Sequence, residues 1–304
     1  MMGKSSTLFP LDHKDDVTIY HDETKQASGK NIWGHGILFV PHKKIEGLLK
    51  ELQDARDECI CDSKLRFADI SESYYTPKYE CVKRWVEIGF KYLKRNEGCK
   101  LGIIFFDKGT VDLNAYSGDK KERELRAVET VLRMTLKGSA HYLYDTERQV
   151  KIHRFVTDGD PWHRDLNENR IIGRLLTEVR DYVEITPGCK IDGVVSDHKN
   201  DRCNDIKSAH LLQLTDLLLG SVIQTCFRDL EQGKKKEIII RPIKEMLDKR
   251  KRGRKGFENS SHFRSFTLSL AKIVCNEWQF ERLDSKDIII DDSTGKITLS
   301  DLNI

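Results

Sequence analysis

From residue 100 onward, apolar runs of strand length alternate with helical patterns. Leu101–Phe106 is almost continuously apolar, which is typical of a strand buried on both faces. Further strand and helix patterns follow it in turn: Glu122–Leu136 (helix), Val150–Val156 (strand), Asn167–Tyr182 (helix), Ile191–Val195 (strand) and Ile206–Arg228 (helix). Because strands that alternate with helices favour parallel βαβ units, this half of the chain predicts an α/β fold.

The first hundred residues predict an antiparallel start to the sheet. Val17–Tyr20 and Trp33–Val40 are rich in strand-forming residues and are separated by a turn-prone stretch. Leu65–Ile70 is a candidate third strand. Helices are predicted over His42–Asp57 and from Thr76-Pro77 onward, where a hydroxyl precedes a proline at the first helical position. We therefore expect a mixed sheet with helices on both faces, in which Val17–Tyr20 and Leu101–Phe106 are neighbouring central strands.

The length of the chain fits one large α/β domain or two small ones. The chain has 304 residues, of which 38% are apolar and 33% charged, and such a length can bury a sizeable core. No apolar run approaches the roughly 18 residues that span a bilayer, and the N-terminus lacks a signal-peptide pattern. We expect a cytoplasmic protein without a membrane partner. Its predicted parts are an α/β domain over residues 1–232, a basic loop over 233–257, and a helix (Phe263–Cys275) with two short strands over 258–304, packed on the same domain.

Acidic residues lie where apolar residues would be expected. Asp107 and Asp197 each end a strand pattern, as Asp22 does together with Glu23, and Asp216 interrupts the apolar helix 211–220. Two unit charges about 4 Å apart repel by roughly 4 kcal/mol at an effective dielectric near 20. A cluster of such acids persists only if a proton, a basic side chain or a metal neutralises it. The pattern therefore indicates a site for a divalent metal.

Asp216 is the most informative of these acids. Helical geometry places it on the same stripe as Leu212, Leu219 and Ile223, and a mid-helix acid cannot be an N-cap. It either binds metal or forms a buried ion pair. The strand-end acids also have an ordinary explanation as turn residues, as do Asp158 and Asp160 in Asp-Gly-Asp-Pro.

Basic residues suggest contact with phosphates. Residues 233–256 contain eleven Lys or Arg and three Asp or Glu, a net charge of +8 in a chain whose net charge is +3. The densest part is Lys249, Arg250, Lys251, Arg252, Arg254 and Lys255. Such a run binds nucleic-acid phosphates without reading sequence, or is simply a solvated loop. Lys108 and Lys199 follow two of the strand-end acids and either hold a phosphate oxygen or form surface ion pairs.

Five segments occur in an order that resembles family 3800 of the prokaryotic domains of unknown function. They are Ile19-Tyr-His-Asp-Glu-Thr24, Gly34-His-Gly-Ile-Leu-Phe-Val-Pro41, Ile104-Phe-Phe-Asp-Lys108, Val195-Ser-Asp-His-Lys-Asn200 and Leu212-Gln-Leu-Thr-Asp-Leu-Leu-Leu-Gly220. The resemblance covers about residues 17–228. It implies a ribonuclease-H-like fold, a mobile-element or antiviral-defence context, and acidic site positions at Asp22, Glu23, Asp107, Asp197 and Asp216.

The chain departs from that family's pattern in two places. Thr24 and Lys25 stand where the family has Ser-Gly. The glutamate that ribonuclease-H enzymes carry on their first helix has three candidates here: Glu72, Glu80 and Glu87.

Together these features predict a Mg²⁺- or Mn²⁺-dependent phosphodiesterase acting on DNA or RNA. Asp22 would bridge two metal ions, and Asp107 and Asp216 would each hold one. Glu23 and Asp197 would complete the coordination or position water, while the lysines and the basic run would bind phosphates. The alternative is a catalytically silent ribonuclease-H-like module that binds nucleic acid or a protein partner in a larger complex.

Overall fold

A computed structural model describes most of the chain. The described residues are 13–27, 32–70, 75–94, 98–107, 113–146, 148–159, 165–175, 182–227, 238–245, 265–274, 277–282, 288–291 and 296–299. The basic run 249–255 lies outside them, as does Lys108.

Eight strands within the described residues form one mixed sheet. They are β1 (His13–Ala27), β2 (Ile32–Pro41), β3 (Lys100–Asp107), β4 (Arg148–Asp158), β5 (Val183–Ile185), β6 (Ile191–Val194), β7 (Phe266–Val274) and β8 (Glu277–Arg282). The order is β5-β4-β1-β2-β3-β7-β8, and β6 also pairs with β4. Two more strands, β9 (Ile288–Asp291) and β10 (Lys296–Leu299), form a separate antiparallel pair.

The pairing confirms the predicted mixed α/β architecture. β2 is antiparallel to both β1 and β3, whereas β4 is parallel to β1 and β7 is parallel to β3. The expectation that the first and third strands are neighbours was wrong, because β2 lies between them. The short connection after β1 lets β2 pair back along it, and β3 then adds to the free edge of β2.

Helices cover both faces of the sheet. The long ones are α1 (His42–Cys59), α2 (Pro77–Lys94), α3 (Lys120–Leu143) and α4 (Ile206–Phe227). The apolar residues of α1, α2 and α4 share one core cluster with Tyr20, Leu38 and Phe105 of the sheet. Those of α3 pack on the opposite face, against Ile19 and Ile37 among others. None of the described helices is long and apolar enough to cross a membrane.

Two helix starts follow from local chemistry. The amide of Tyr79 donates to Thr76 Oγ1 over 3.1 Å, so Thr76 caps α2 as its sequence predicts. Asp119 and Glu122 form a reciprocal capping box at the start of α3, with side-chain and backbone bonds in both directions. Both caps satisfy amide groups that a helix leaves unpaired at its first turn.

Two local predictions were wrong. Residues 65–70 form turns rather than a strand, and their amides bond within the segment or to α4. The stretch predicted as a helix over Phe263–Cys275 contains β7, which pairs with β3 and is buried on both faces over residues 266–271. Within the predicted helix Asn167–Tyr182, the described helical part includes a π-helix over Asn169–Gly173. Short apolar runs do not distinguish a buried strand from a buried helix, which explains the second error.

Gly102 shows how closely α3 packs on the sheet. A Cβ at this position would lie 2.0 Å from Ser139 Oγ and 2.3 Å from Ser139 Cβ. Gly102→Ala should therefore lower the free energy of unfolding by about 1–3 kcal/mol through overpacking. Urea unfolding of the two single variants and of Gly102→Ala with Ser139→Gly tests this. The double variant should be more stable than the sum of the single effects, and additivity would contradict the proposed clash.

Candidate active site

Two acids meet at one edge of the sheet. Asp22 lies on β1 one residue beyond the last residue that pairs with β4, and Asp158 is the last residue of β4. The two strands are parallel and pair His21 with Thr157, so the next residues are neighbours. Tyr20 and Val156 both pack in the core beneath α4. Because side chains alternate along a strand, Asp22 and Asp158 also face α4.

The third acid comes from α4. The side chain of Asp216 is hydrogen-bonded to that of Asp22. Burial raises the pKa of Asp22 well above its ordinary value, and the charges of Asp216 and Asp158 raise it further. Burial also raises the pKa of Asp216. Two buried carboxyl groups in this arrangement repel each other when both are ionised, so the pair holds a shared proton.

A turn-rich stretch, here named the 61–67 segment (Cys61–Phe67), covers this acid pair. The amide of Phe67 donates to Asp216 Oδ2 over 2.8 Å. Lys64 Nζ donates to Ser196 Oγ over 2.5 Å, and Ser196 Oγ donates to Asp158 Oδ2 over 2.7 Å. The charges of Arg66 and Lys64 lower the pKa of Asp216, although burial outweighs them. The segment therefore contributes two cations to the surroundings of three acids.

One stripe of α4 holds this segment in place. Gln213 Oε1 accepts from the amide of Leu65 at 3.0 Å and from Arg56 Nη2 at 2.7 Å. Asp216 follows three residues later, and Gly220 seven residues later, on the same helical face. A Cβ on Gly220 would lie 2.5 Å from Cγ of Phe67, so the glycine gives the aromatic ring its space. The Leu-Gln-Leu-Thr-Asp segment thus docks the 61–67 segment as well as supplying an acid.

Gln213 also fixes the stretch that carries Ser196. Its Nε2 donates to the carbonyl oxygen of Ser196 over 2.6 Å. The amide of Ser196 donates to Asp158 Oδ1 over 3.3 Å, in addition to the bond from its hydroxyl. Asp158 is consequently held in one orientation by a residue that α4 itself positions.

Glu23 lies on the opposite face of β1 from Asp22. Its carboxylate is 3.8 Å from Nε2 of His35, which is fully buried. His35 Nδ1 lies 3.0 Å from His21 Nε2, and His21 Nδ1 lies 3.0 Å from Thr157 Oγ1. One set of neutral tautomers satisfies the two hydrogen bonds: Thr157 donates to His21, and His21 donates to His35. His35 Nε2 then faces Glu23 at 3.8 Å, which is too far for a hydrogen bond. Through its side chain Glu23 joins a buried polar network, and through its amide it donates to Asp22 Oδ1 over 2.8 Å.

The register sets Asp107 apart from Asp22. Asp107 pairs with Ile32 on β2, whereas Asp22 pairs with Gly36, four residues along the same strand. At roughly 3.3 Å per residue this is about 13 Å along the strand, in addition to the two strand spacings between β1 and β3. The backbone therefore does not bring these two predicted metal ligands together. The side chain of Asp107 lies outside the described part of the structure.

The contacts of Asp197 and Lys199 lie within their own turn and with the neighbouring residue Asp62. Asp197 Oδ1 accepts from the amide of Lys199 at 3.1 Å. The ammonium of Lys199 pairs with Asp62, which also accepts from His198. Asp62 is exposed, so these are surface contacts of small energetic value. Their predicted roles in coordination and phosphate binding stay predictions.

The first-helix glutamate has no counterpart at the acid pair among the described candidates. Glu80 pairs with Lys83 on the surface of α2, and Glu87 is exposed. Neither is among the groups that shift the pKa of Asp22 or Asp216. Glu72 lies outside the described residues.

Sequence reasoning undervalued three residues that the fold brings to this site: Asp158, Lys64 and Gln213. Asp158 ends a strand pattern, a signal that was available but was interpreted as turn chemistry. Gln213 precedes Asp216 by one helical turn, which indicates a shared face. Lys64 carried no local signal, because only the docking of the 61–67 segment places it beside Ser196.

The acids suit a hard cation in their chemistry. Across the described residues no group of three or more His, Cys, Asp or Glu side chains is arranged to hold a metal ion. Mg²⁺, however, is often bound through only one or two carboxylates, with waters and substrate phosphates completing its shell. The hydrogen-bonded pair of Asp22 and Asp216 meets that requirement, and Asp158 adds charge nearby.

A comparison of the chain with models of protein families and with curated proteins found no match. The resemblance to family 3800 of the domains of unknown function therefore stays a prediction.

Replacing Asp22 with Asn should stabilise the protein in a pH-dependent way. An acid whose pKa is raised on folding contributes stability that is present at low pH and is lost as the pH rises above its unfolded value, near 3.9. Asn imitates the protonated form at every pH. The difference in melting temperature between Asp22→Asn and wild type, measured without metal, should be small near pH 4 and should grow towards pH 7. A constant difference would mean that Asp22 is not the titrating group.

Proposed function

We propose that this protein is a divalent-metal-dependent phosphodiesterase that acts on nucleic acid. The observation that carries the proposal is the hydrogen-bonded carboxylate pair of Asp22 and Asp216, with Asp158 and the cations of the 61–67 segment around it. Asp158 replaces Asp107 as the third acid of the proposed site, because the strand register brings it beside Asp22.

Asp22 and Asp216 would hold Mg²⁺ or Mn²⁺ when their shared proton is lost. A bound ion of this kind supplies Lewis-acid stabilisation of phosphoryl oxygens and lowers the pKa of water. The protein's own contribution is to fix the acids in place. Ser196 orients Asp158, the amide of Phe67 orients Asp216, and the amide of Glu23 orients Asp22.

Metal binding and cleavage should be measured separately. Titration calorimetry with Mg²⁺ and with Mn²⁺ tests the acid pair, and incubation with end-labelled single- and double-stranded DNA and RNA tests the reaction. Metal binding that is accompanied by metal-dependent cleavage of any of these substrates supports the proposal. Absence of metal binding at millimolar concentration would overturn it.

A catalytically silent module is the second candidate, and one observation favours it. Asp216 accepts a hydrogen bond from a backbone amide and is bonded to a carboxyl group, so it has a structural use without any metal. In that case the role of Asp216 would be to hold the 61–67 segment through the Phe67 amide, without binding metal. A protein that binds nucleic acid but neither metal nor a cleavable substrate would match this function.

The basic run gives an independent test of nucleic-acid binding. Replacing Lys249, Arg250, Lys251, Arg252, Arg254 and Lys255 with Gln should weaken binding and flatten its dependence on salt, because each phosphate contact releases counterions. The slope of log affinity against log salt is the measurement. An unchanged slope would show that this run does not contact phosphate. A cytoplasmic location, a role in defence and a protein partner remain predictions.

A further inference from the structure

We infer that Lys64 is a substrate-positioning residue that binds a phosphate oxygen of the nucleic acid beside the acid pair. This inference rests on the proposed function and deepens it. The ammonium of Lys64 donates to Ser196 Oγ over 2.5 Å, and the same hydroxyl donates to Asp158 Oδ2 over 2.7 Å. One hydroxyl group therefore separates the lysine from the third acid of the site.

Lys64 directs its ammonium at a neutral hydroxyl rather than at a carboxylate. An ammonium has three N–H donors, of which the contact to Ser196 uses one. The side chain is partly exposed, so an anion can approach it from solvent. Lys199 and Lys78, by contrast, are paired with Asp62 and Asp69. A lysine beside three acids, held by a hydroxyl, is placed to attract the phosphate that the acids alone would repel.

The backbone that carries Lys64 is held on both sides. Arg56 Nη1 donates to the carbonyl oxygens of Cys61 and Ser63, over 3.1 and 2.9 Å. The amides of Leu65 and Phe67 donate to Gln213 and Asp216. A cation on such a braced segment loses little backbone freedom when substrate binds, which is the requirement for a positioning group.

Binding of a fluorescent single-stranded oligonucleotide to the full chain, followed by anisotropy across a range of salt concentrations, tests the role of Lys64. Ca²⁺ replaces Mg²⁺ so that no cleavage is needed for the measurement. Lys64→Gln should weaken binding roughly three- to tenfold and reduce the salt slope by about 0.7, the value for one phosphate contact with a single strand. Lys64→Arg should restore most of the affinity and the slope. Lys91→Gln is the matched control, since Lys91 lies on the surface of α2 and pairs with Glu51 of α1.

The outcomes separate the inference from the proposed function. A salt slope that is unchanged in Lys64→Gln, with wild-type binding intact, overturns the role of Lys64 and leaves the phosphodiesterase proposal standing. Failure of the wild-type protein to bind any oligonucleotide overturns both. If Lys64→Gln lowers the melting temperature, the Lys64→Arg variant is used for the test instead. A folded Lys64→Arg protein whose binding has a reduced salt slope would also contradict a phosphate contact, because Arg keeps the positive charge.

Discussion

Asp216→Asn should abolish divalent-metal binding and reduce any cleavage at least about 100-fold, while the protein remains folded. The change removes a charge and keeps the shape of the side chain. Its amide oxygen can still accept the hydrogen bond that the Phe67 amide now gives to Asp216 Oδ2. Without metal the melting temperature should hold or rise, because burial has raised the pKa of Asp216 and one member of a repelling pair is neutralised.

A buried ion pair would give the opposite result. Removing one member of such a pair costs roughly 3–5 kcal/mol, with or without metal. The structure favours the first outcome, since the described partners of Asp216 are a backbone amide and the carboxyl group of Asp22. Melting temperatures of wild type and variant with and without Mg²⁺ distinguish the two. A large loss of stability that is independent of metal would favour the silent module.

Asp216→Ala serves as the matched control for this experiment. It removes both the charge and the acceptor for the Phe67 amide. An unsatisfied buried amide costs about 1–3 kcal/mol, so Ala should be less stable than Asn by about that amount. Equal stabilities would show that the bond to Phe67 contributes nothing to the fold.

Gly220→Ala should disturb the site without changing any of its functional groups. The added Cβ would lie 2.5 Å from Cγ and 2.6 Å from Cβ of Phe67, at the base of the ring where the side chain has little freedom to move. Overpacking of this kind costs about 1–3 kcal/mol, partly offset by the roughly 1 kcal/mol that Ala gains over Gly within a helix. The displaced 61–67 segment would carry the Phe67 amide away from Asp216, so cleavage should fall several-fold.

Gly173→Ala is the comparison for this glycine. Its Cβ would meet Asn169 at 3.7 Å, an ordinary contact, so it should leave activity unchanged. Unfolding in urea and initial cleavage rates measure the two effects. If Gly220→Ala is both as stable and as active as wild type, the segment can move away at no cost and does not organise the site.

Capping residues and hydrophobic periodicity predicted the helices whose formation depends mainly on residues close together in the sequence. The Thr76 hydroxyl caps α2, and the apolar stripes of α1, α3 and α4 follow helical spacing, so all four helices were predicted. The predicted bounds of α1 and α4 lie within two residues of those observed, whereas α3 continues seven residues past its predicted end to Leu143. β7 was mistaken for a helix because its conformation is decided by pairing with β3, whose paired residues lie 165 positions earlier in the chain (Leu101 pairs with Phe266). Residues 65–70 were mistaken for a strand because their partners lie on α4 rather than in the sheet.

In the candidate site, too, some features follow from neighbouring residues in the chain and others from contacts between distant segments. The sequence by itself placed Asp22 after a strand-forming run and Asp216 within an apolar helix face, since both depend on neighbours in the chain. The strand β1, however, continues past Asp22 to Ala27. Only the tertiary structure decided which acids meet. The register between β1 and β4 brings Asp158 beside Asp22, the register through β2 sets Asp107 apart, and the docking of the 61–67 segment supplies Lys64. Strand register and loop docking depend on contacts between residues far apart in sequence. The hydrophobic periodicity of a single segment does not reveal such contacts.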